Sequence, residues 1–171
     1  MEMNDIRLKE LVNPVCEIAK QAGTEIMKIY AEGFEIEEKK DHSPLTTADL
    51  ASHTLIIEEL EKLTPNIPIL SEESTSIDFA ERSSWKNYWL IDPLDGTREF
   101  IKRNGEFTVN IALITGHSSS LGVVYLPVKD ICYFAARNHG AFKQQQNQSA
   151  EKIQSRESAP ANKPTICGSR S

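Results

Sequence analysis

The sequence predicts an α+β chain in which two amino-terminal helices pack on one face of a mainly antiparallel sheet. Three observations predict it. Apolar residues recur at three- and four-residue steps through the first third, short apolar runs replace that pattern from Ile67 onward, and the later runs are joined only by short polar or proline-containing links.

Leu8, Leu11, Val12, Val15, Ile18, Ala19, Ala22, Ile26 and Ile29 mark one long amphipathic helix from about Asp5 to Tyr30, with Gly33 as its end. A charged stretch from Glu35 to Asp41 follows. Ser43-Pro44-Leu45-Thr46-Thr47-Ala48-Asp49 then reads as a turn feeding a second helix to about Leu63, whose buried stripe is expected to include Leu50, Ile56, Ile57, Leu60 and Leu63. Ile67 to Leu70 and Tyr88 to Ile91 read as strands, each delivering acidic residues at its carboxyl end. Phe107 to Thr115, Leu121 to Val128 and Ile131 to Ala136 follow the Gly96 turn as an antiparallel meander. The polar run Lys143 to Gln148 reads as a hairpin tip, and Ile153 and Thr165 to Cys167 as the beginnings of further strands.

Composition narrows the function classes. The 171 residues, 39% hydrophobic and 26% charged, suit an ordinary globular domain, and one domain is the default. A formal net charge of -6 argues against nucleic acid or an anionic membrane as the main partner, since both repel an acidic protein; a phosphate ligand would call for metal ions. Cys16, Cys132 and Cys167 are far apart and odd in number, so neither a disulfide framework nor a zinc knuckle is expected. The first residues lack the pattern of a signal peptide and no apolar stretch approaches a membrane span, so a cytoplasmic protein is expected.

The most informative stretch is Trp89-Leu90-Ile91-Asp92-Pro93-Leu94-Asp95-Gly96-Thr97. An apolar strand ends in two carboxylates spaced three apart around a proline, which stiffens the turn and can hold Asp92 and Asp95 near each other, a repulsive arrangement best relieved by a divalent cation. Gly96 permits a close backbone approach, and its N–H with that of Thr97 can meet phosphate oxygens. Oxygen ligands without histidine or thiolate favour magnesium over zinc or copper and leave calcium open. Taken singly, each piece has an ordinary alternative: Asp-Pro-x-Asp-Gly can be a capping turn, Glu72 and Glu73 a solvated loop, and Thr46-x-x-Asp49 a helix capping box. Glu72 and Glu73, however, also end an apolar run, and two acidic strand ends side by side would make a metal site. His42, His53, His117 and His139 show no ligand spacing and read as surface or packing residues, and Trp85, Tyr88 and Trp89 as core. Lys102-Arg103 reads as a solvated turn that could also face a substrate phosphate.

Ser43-Pro44-x-Thr46-x-Ala48-Asp49, Ser71-Glu72-Glu73 and Asp92-Pro93-Leu94-Asp95-Gly96-Thr97, in this order, resemble the signature of the inositol monophosphatase superfamily. The continuation Arg98 to Leu113 is similar to its bacterial 3'(2'),5'-bisphosphate nucleotidase branch of the CysQ type, and the likeness runs from about Leu11 to Ser171. The resemblance implies a layered, sugar-phosphatase-like α+β fold. It implies that Glu72, Asp92 and the Leu94 carbonyl hold one magnesium and that Asp92 and Asp95 hold a second. It further implies that Asp49 and the Thr97 hydroxyl position the attacking water, that Gly96 and Thr97 line the phosphate, and that Glu73 supports the ligands from behind. Lys39 matches a basic residue near the entrance in relatives. The implied partner is a small nucleotide bisphosphate such as adenosine 3',5'-bisphosphate or its phosphosulfate analogue; the inositol monophosphatases would share the metal carboxylates and differ in the pocket. One departure stands out. The Trp-Asp motif of the family's second domain, which supplies a third acidic ligand, has no match here, since Trp85 precedes Lys86 and Trp89 precedes Leu90. Residues 1–171 are therefore expected to be the amino-terminal metal-binding domain of an interrupted chain, ending at Ser169-Arg170-Ser171 where family sequences continue.

Overall fold

The structure, a computed structural model, describes residues 5–38, 44–74 and 77–155. Lys39, His42, Ser43, Thr165 to Cys167 and the end at Ser171 lie outside the described residues, and with them the expectations placed there.

Helix α1, Asp5–Glu32, buries Leu8, Leu11, Val15, Ile18, Ala19, Ala22 and Ile26, the stripe that the periodicity marks. Gly33 ends it in the left-handed region, at φ 108°, with its N–H on the Ile29 carbonyl at 3.0 Å. Part of the charged stretch, for which the sequence suggests no element, forms a strand: β1, Ile36–Glu38, pairs antiparallel with β2, Pro44–Thr46. Helix α2, Thr47–Leu63, starts and stops as expected, but its inner face is only partly apolar. Leu50, expected in the buried stripe, is 44% exposed, whereas Asp49 and Ser52 are buried with Ala48, Ile56 and Leu60. Ile57 and Leu63 are half-buried against the core. A polar face at the start of α2 is the first sign that this end of the helix does more than pack.

The main sheet has seven strands in chain order: β3 Ile69–Ser71, β4 Asn87–Asp95, β5 Thr108–Thr115, β6 Ser118–Leu126, β7 Ile131–Ala136, β8 Gly140–Gln145 and β9 Glu151–Ile153. Among the described residues only β3 and β4 are parallel; every later pair is antiparallel, so the sheet is a mixed one dominated by the meander. Differences from expectation are local. β4 runs on through the Asp-Pro turn to Asp95, and β6 stops at Leu126, where Pro127–Lys129 forms a 3-10 turn. Lys143 to Gln145 belong to β8, so the hairpin turns only beyond Gln145. Two short helices also went unforeseen, α3 at Phe79–Arg82 and α4 at Thr97–Ile101.

Helices α1 and α2 lie together on one face of the sheet. Alternation along the central strands sends Trp89, Ile91, Val109, Ile111, Leu113, Leu121 and Val123 into that layer. Trp89 is fully buried and its indole N–H donates to the Thr64 hydroxyl at 2.9 Å, tying the end of α2 to β4. The lower end of α1 closes on an aromatic cluster: Tyr30 meets Phe100 and Phe107 at centroid distances of 5.0 and 5.3 Å. Arg103 spreads its guanidinium over Tyr30 and Phe34, at 5.0 and 5.6 Å, and Lys102 lies 3.7 Å from Glu99. The turn at Lys102-Arg103 is solvated, as expected, with Arg103 covering the aromatic rings at the end of α1. Cys16 and Cys132 are buried free thiols.

Candidate metal and phosphate site

The parallel pairing of β3 with β4 sets Ser71 beside Ile91, and the Glu72 N–H donates to the Ile91 carbonyl at 3.1 Å. One residue further along both strands, Glu72 stands next to Asp92. The two acidic strand ends seen in the sequence are therefore neighbours, on the sheet face opposite the helices. Asp92 is half-buried while Glu72 and Asp95 are exposed. Burial first, and then the charges of Glu72 and Asp95, push the Asp92 carboxyl up to about 7; Glu72 is close enough to share a hydrogen bond with it. Among the described residues no three His, Cys, Asp or Glu side chains converge on one point, so these carboxylates are crowded neighbours and not a closed cage.

Past Asp92 the chain bulges. β4 and β5 pair Asp92 with Asn110 and Asp95 with Thr108, so three steps along β4 match two along β5. The extra residue lies in Pro93-Leu94, beyond which the Leu94 carbonyl meets the Thr97 hydroxyl and Asp95 meets Asn110. Gly96 then takes φ 97°, and a Cβ there would stand 2.9 Å from the Glu106 carbonyl oxygen. Both facts require glycine, and together they start α4 at Thr97.

Asp49 is 1% exposed and divides its two oxygens between two tasks. Oδ2 accepts the Thr46 N–H at 2.7 Å and also the Thr46 hydroxyl, which is the capping role. Oδ1 accepts the Thr97 hydroxyl at 3.1 Å, and that hydroxyl also lies 3.3 Å from the Leu94 carbonyl oxygen. The start of α2 is thereby joined to the turn that follows Asp92.

Two further contacts, which sequence reading missed, come from the same face of α2. Ser52 donates to the Pro93 carbonyl at 2.8 Å, inside the bulge. His53 shares a hydrogen bond through Nδ1 with the Ser71 hydroxyl at 2.9 Å, and Ser71 in turn accepts the Glu73 N–H at 3.2 Å. Burial lowers the His53 imidazole below its ordinary value, which favours the neutral ring as a bracing group. Asp49, Ser52 and His53 follow the i, i+3, i+4 spacing of one helix face, and each holds a different segment: Thr97, Pro93 and Ser71. That spacing is the signal in the sequence that could have found them. Glu73 is half-buried beside this brace.

Glu72, Asp92, Asp95 and the Leu94 carbonyl supply only oxygen donors, and the crowding around Asp92 is of the kind that a hard divalent cation relieves, so the residues present fit magnesium. Beside them, on the outer face of the sheet, an open cavity of about 630 Å³ is lined by Leu70, Leu90, Ala112 and Val124 together with Asp92 and Asn110. It offers a largely apolar wall next to a carboxylate cluster.

Residues 7–171 match the inositol monophosphatase family. The chain is 54% identical over 128 residues to a Salmonella typhimurium protein named 3'(2'),5'-bisphosphate nucleotidase CysQ, with 74% of this chain and 52% of the relative covered. The protein of the same name from Escherichia coli O157:H7 is 52% identical over 128 residues with the same coverage. Among solved structures, CysQ from Bacteroides thetaiotaomicron, described as a bacterial member of the inositol monophosphatase family, superposes with a TM-score of 0.69 at 38% identity, covering 86% of this chain and 59% of that one. A staphylococcal inositol monophosphatase superposes with a TM-score of 0.70 at 24% identity, over 84% of this chain and 52% of that one, a likeness of fold. The chain spans about half the length of the curated relatives it matches. No helix among the described residues is long and apolar enough to cross a membrane.

Proposed function

Because this chain belongs to the inositol monophosphatase family, we propose that it forms the amino-terminal, magnesium-binding part of a 3'(2'),5'-bisphosphate nucleotidase, which removes the 3'-phosphate of adenosine 3',5'-bisphosphate or its phosphosulfate analogue. The observation that carries this reading is the gathering of Glu72, Asp92 and Asp95 beside the Asp49–Thr97 pair, with the charges of Glu72 and Asp95 adding to burial in raising Asp92. The preference for a nucleotide over an inositol phosphate rests on the 54% identity to a relative named for that activity.

In this reading Glu72, Asp92 and the Leu94 carbonyl hold one magnesium, and Asp92 and Asp95 a second. When bound, the metal ions would neutralise the phosphate, lower the pKa of the attacking water and stabilise the departing alkoxide. The chain's own residues do the rest. Asp92, whose carboxyl feels both Glu72 and Asp95, would be the ligand shared by the two sites. The Thr97 hydroxyl, held by Asp49 Oδ1 at 3.1 Å, orients the attacking water and takes part in relaying its proton toward the Asp49 carboxylate. Gly96 and Thr97 line the phosphate, and Glu73 steadies the end of β3. Asp49, Ser52 and His53 fix the relative positions of the three segments, so that little rearrangement is needed when substrate binds. A further acidic ligand and the rest of the nucleoside pocket would come from outside these residues.

The test is phosphate release from adenosine 3',5'-bisphosphate and from inositol 1-phosphate, with magnesium present, by the chain extended to the relatives' full length. Faster turnover of the nucleotide supports the proposal. Faster turnover of inositol 1-phosphate would make the protein an inositol monophosphatase, and release from neither would leave a binding module without catalysis.

A further inference from the structure

We infer that Asn110 is a positioning residue for Asp95: its amide, aimed by the Thr108 hydroxyl, holds one carboxylate oxygen and leaves the other to face a cation. The inference rests on the metal-site reading above and adds a residue that the acidic signature does not contain.

The β4 bulge creates the arrangement. Asn110 pairs with Asp92 across the antiparallel ladder, so both side chains leave the sheet on the same face. Thr108 is two residues away on β5 and shares that face. Its hydroxyl donates to Asn110 Oδ1 at 3.1 Å, which occupies the amide oxygen and turns the NH2 group outward. Asn110 Nδ2 then donates to Asp95 Oδ2 at 3.0 Å. A neutral donor thus holds Asp95 from the position paired with Asp92, the carboxylate whose charge Asp95 opposes. Asp95 is exposed, so without this bond its side chain would have wide rotamer freedom. With it, the carboxylate is held to one oxygen's presentation, as partners behind metal ligands commonly do. An apolar residue at 110 would leave the ladder intact and lose only this restraint. Were Asn110 simply a strand-pairing residue, replacing it would alter stability and not cation affinity.

Magnesium affinity of the full-length protein, measured by calorimetry for Asn110→Ala, Thr108→Val, Thr108→Ser and Asp95→Asn, separates the cases, with the thermal midpoint without metal as the fold control. Asn110→Ala should weaken magnesium about tenfold, at the lower end for such partners because Asp95 is solvent-exposed. Thr108→Val should weaken it in the same direction, and Thr108→Ser, which keeps the hydroxyl, should match wild type. The Thr108→Val/Asn110→Ala double variant should bind no more weakly than Asn110→Ala alone, since Thr108 acts only through Asn110. Unchanged affinity in Asn110→Ala, with loss in Asp95→Asn, would overturn the role of Asn110 and leave the metal site standing. Equal behaviour of Thr108→Val and Thr108→Ser would overturn the aiming by Thr108, even if Asn110→Ala failed to fold. Absence of magnesium binding by wild type would overturn the metal-site reading and this inference with it.

Discussion

Asp49→Asn separates the two tasks of one buried carboxylate. Asparagine has one oxygen and one NH2 group where aspartate has two acceptors. If the oxygen takes the Oδ2 place, it keeps the Thr46 N–H bond of 2.7 Å and the cap survives. The reverse orientation would set the NH2 group against the Thr46 N–H, leaving buried donors unsatisfied at a cost of about 1–3 kcal/mol, so the first is adopted. The NH2 group then takes the place of Oδ1, 3.1 Å from Thr97 Oγ, and donates where the carboxylate accepted, so the hydroxyl can donate only toward the Leu94 carbonyl at 3.3 Å. Capping by Asn and Asp is nearly equivalent, so stability should change by less than about 1 kcal/mol. Turnover should fall by about 10²–10⁴-fold, the usual contribution of a positioned proton acceptor, or roughly 3–5 kcal/mol in barrier. The assay pairs urea unfolding with the rate of phosphate release per folded molecule in the full-length protein. A large loss of stability with turnover per folded molecule intact would make Asp49 a cap alone, and the reasoning would fail.

Gly96→Ala should cost about 1–3 kcal/mol in urea unfolding, because φ 97° is unfavourable for alanine and the new Cβ would stand 2.9 Å from the Glu106 carbonyl oxygen. An unchanged unfolding midpoint would contradict the geometry of that turn. Gly23→Ala probes the approach of α1 to β6, since a Cβ there would sit 2.4 Å from Tyr125 Cε1. Overpacking of about 1–3 kcal/mol is expected, with a changed near-ultraviolet signal from the displaced Tyr125 ring; wild-type values for both would show that α1 lies further from the sheet.

The parts legible in sequence are those fixed by local periodicity. α1 could be read because a 28-residue helix repeats its apolar stripe many times over, and the meander because its strands follow one another with short links. Leu50 misled because the inner face of α2 near its start is polar: hydrophobicity selects Leu50, while the fold buries Asp49 and Ser52. β1 was hidden by its charges, and the run from Lys143 looked like a tip because β8 is a half-buried strand whose side chains give no clear alternation. The carboxylates of the candidate site were visible, since acidic residues at the ends of apolar runs are conspicuous. Asn110, Ser52 and His53 were not, because their contacts depend on the bulge between Asp92 and Asp95 and on which helix face meets which strand end. Such pairings join residues 15 to 41 positions apart, so although the spacing of Asp49, Ser52 and His53 puts them on one helix face, no one window of sequence shows which segments that face meets.

The central claim is that Glu72, Asp92 and Asp95 form a magnesium site with Asp92 shared between two ions, and calorimetric titration of magnesium into wild type and Asp92→Asn tests it most directly. Replacing the carboxylate by an amide relieves the repulsion from Glu72 and Asp95, so the metal-free variant should unfold at the same temperature as wild type or higher, which removes misfolding as an explanation. The account predicts that the variant's affinity is weaker by at least about tenfold, or about 1.4 kcal/mol, with fewer ions bound. Magnesium binding by Asp92→Asn with wild-type affinity and stoichiometry would contradict it.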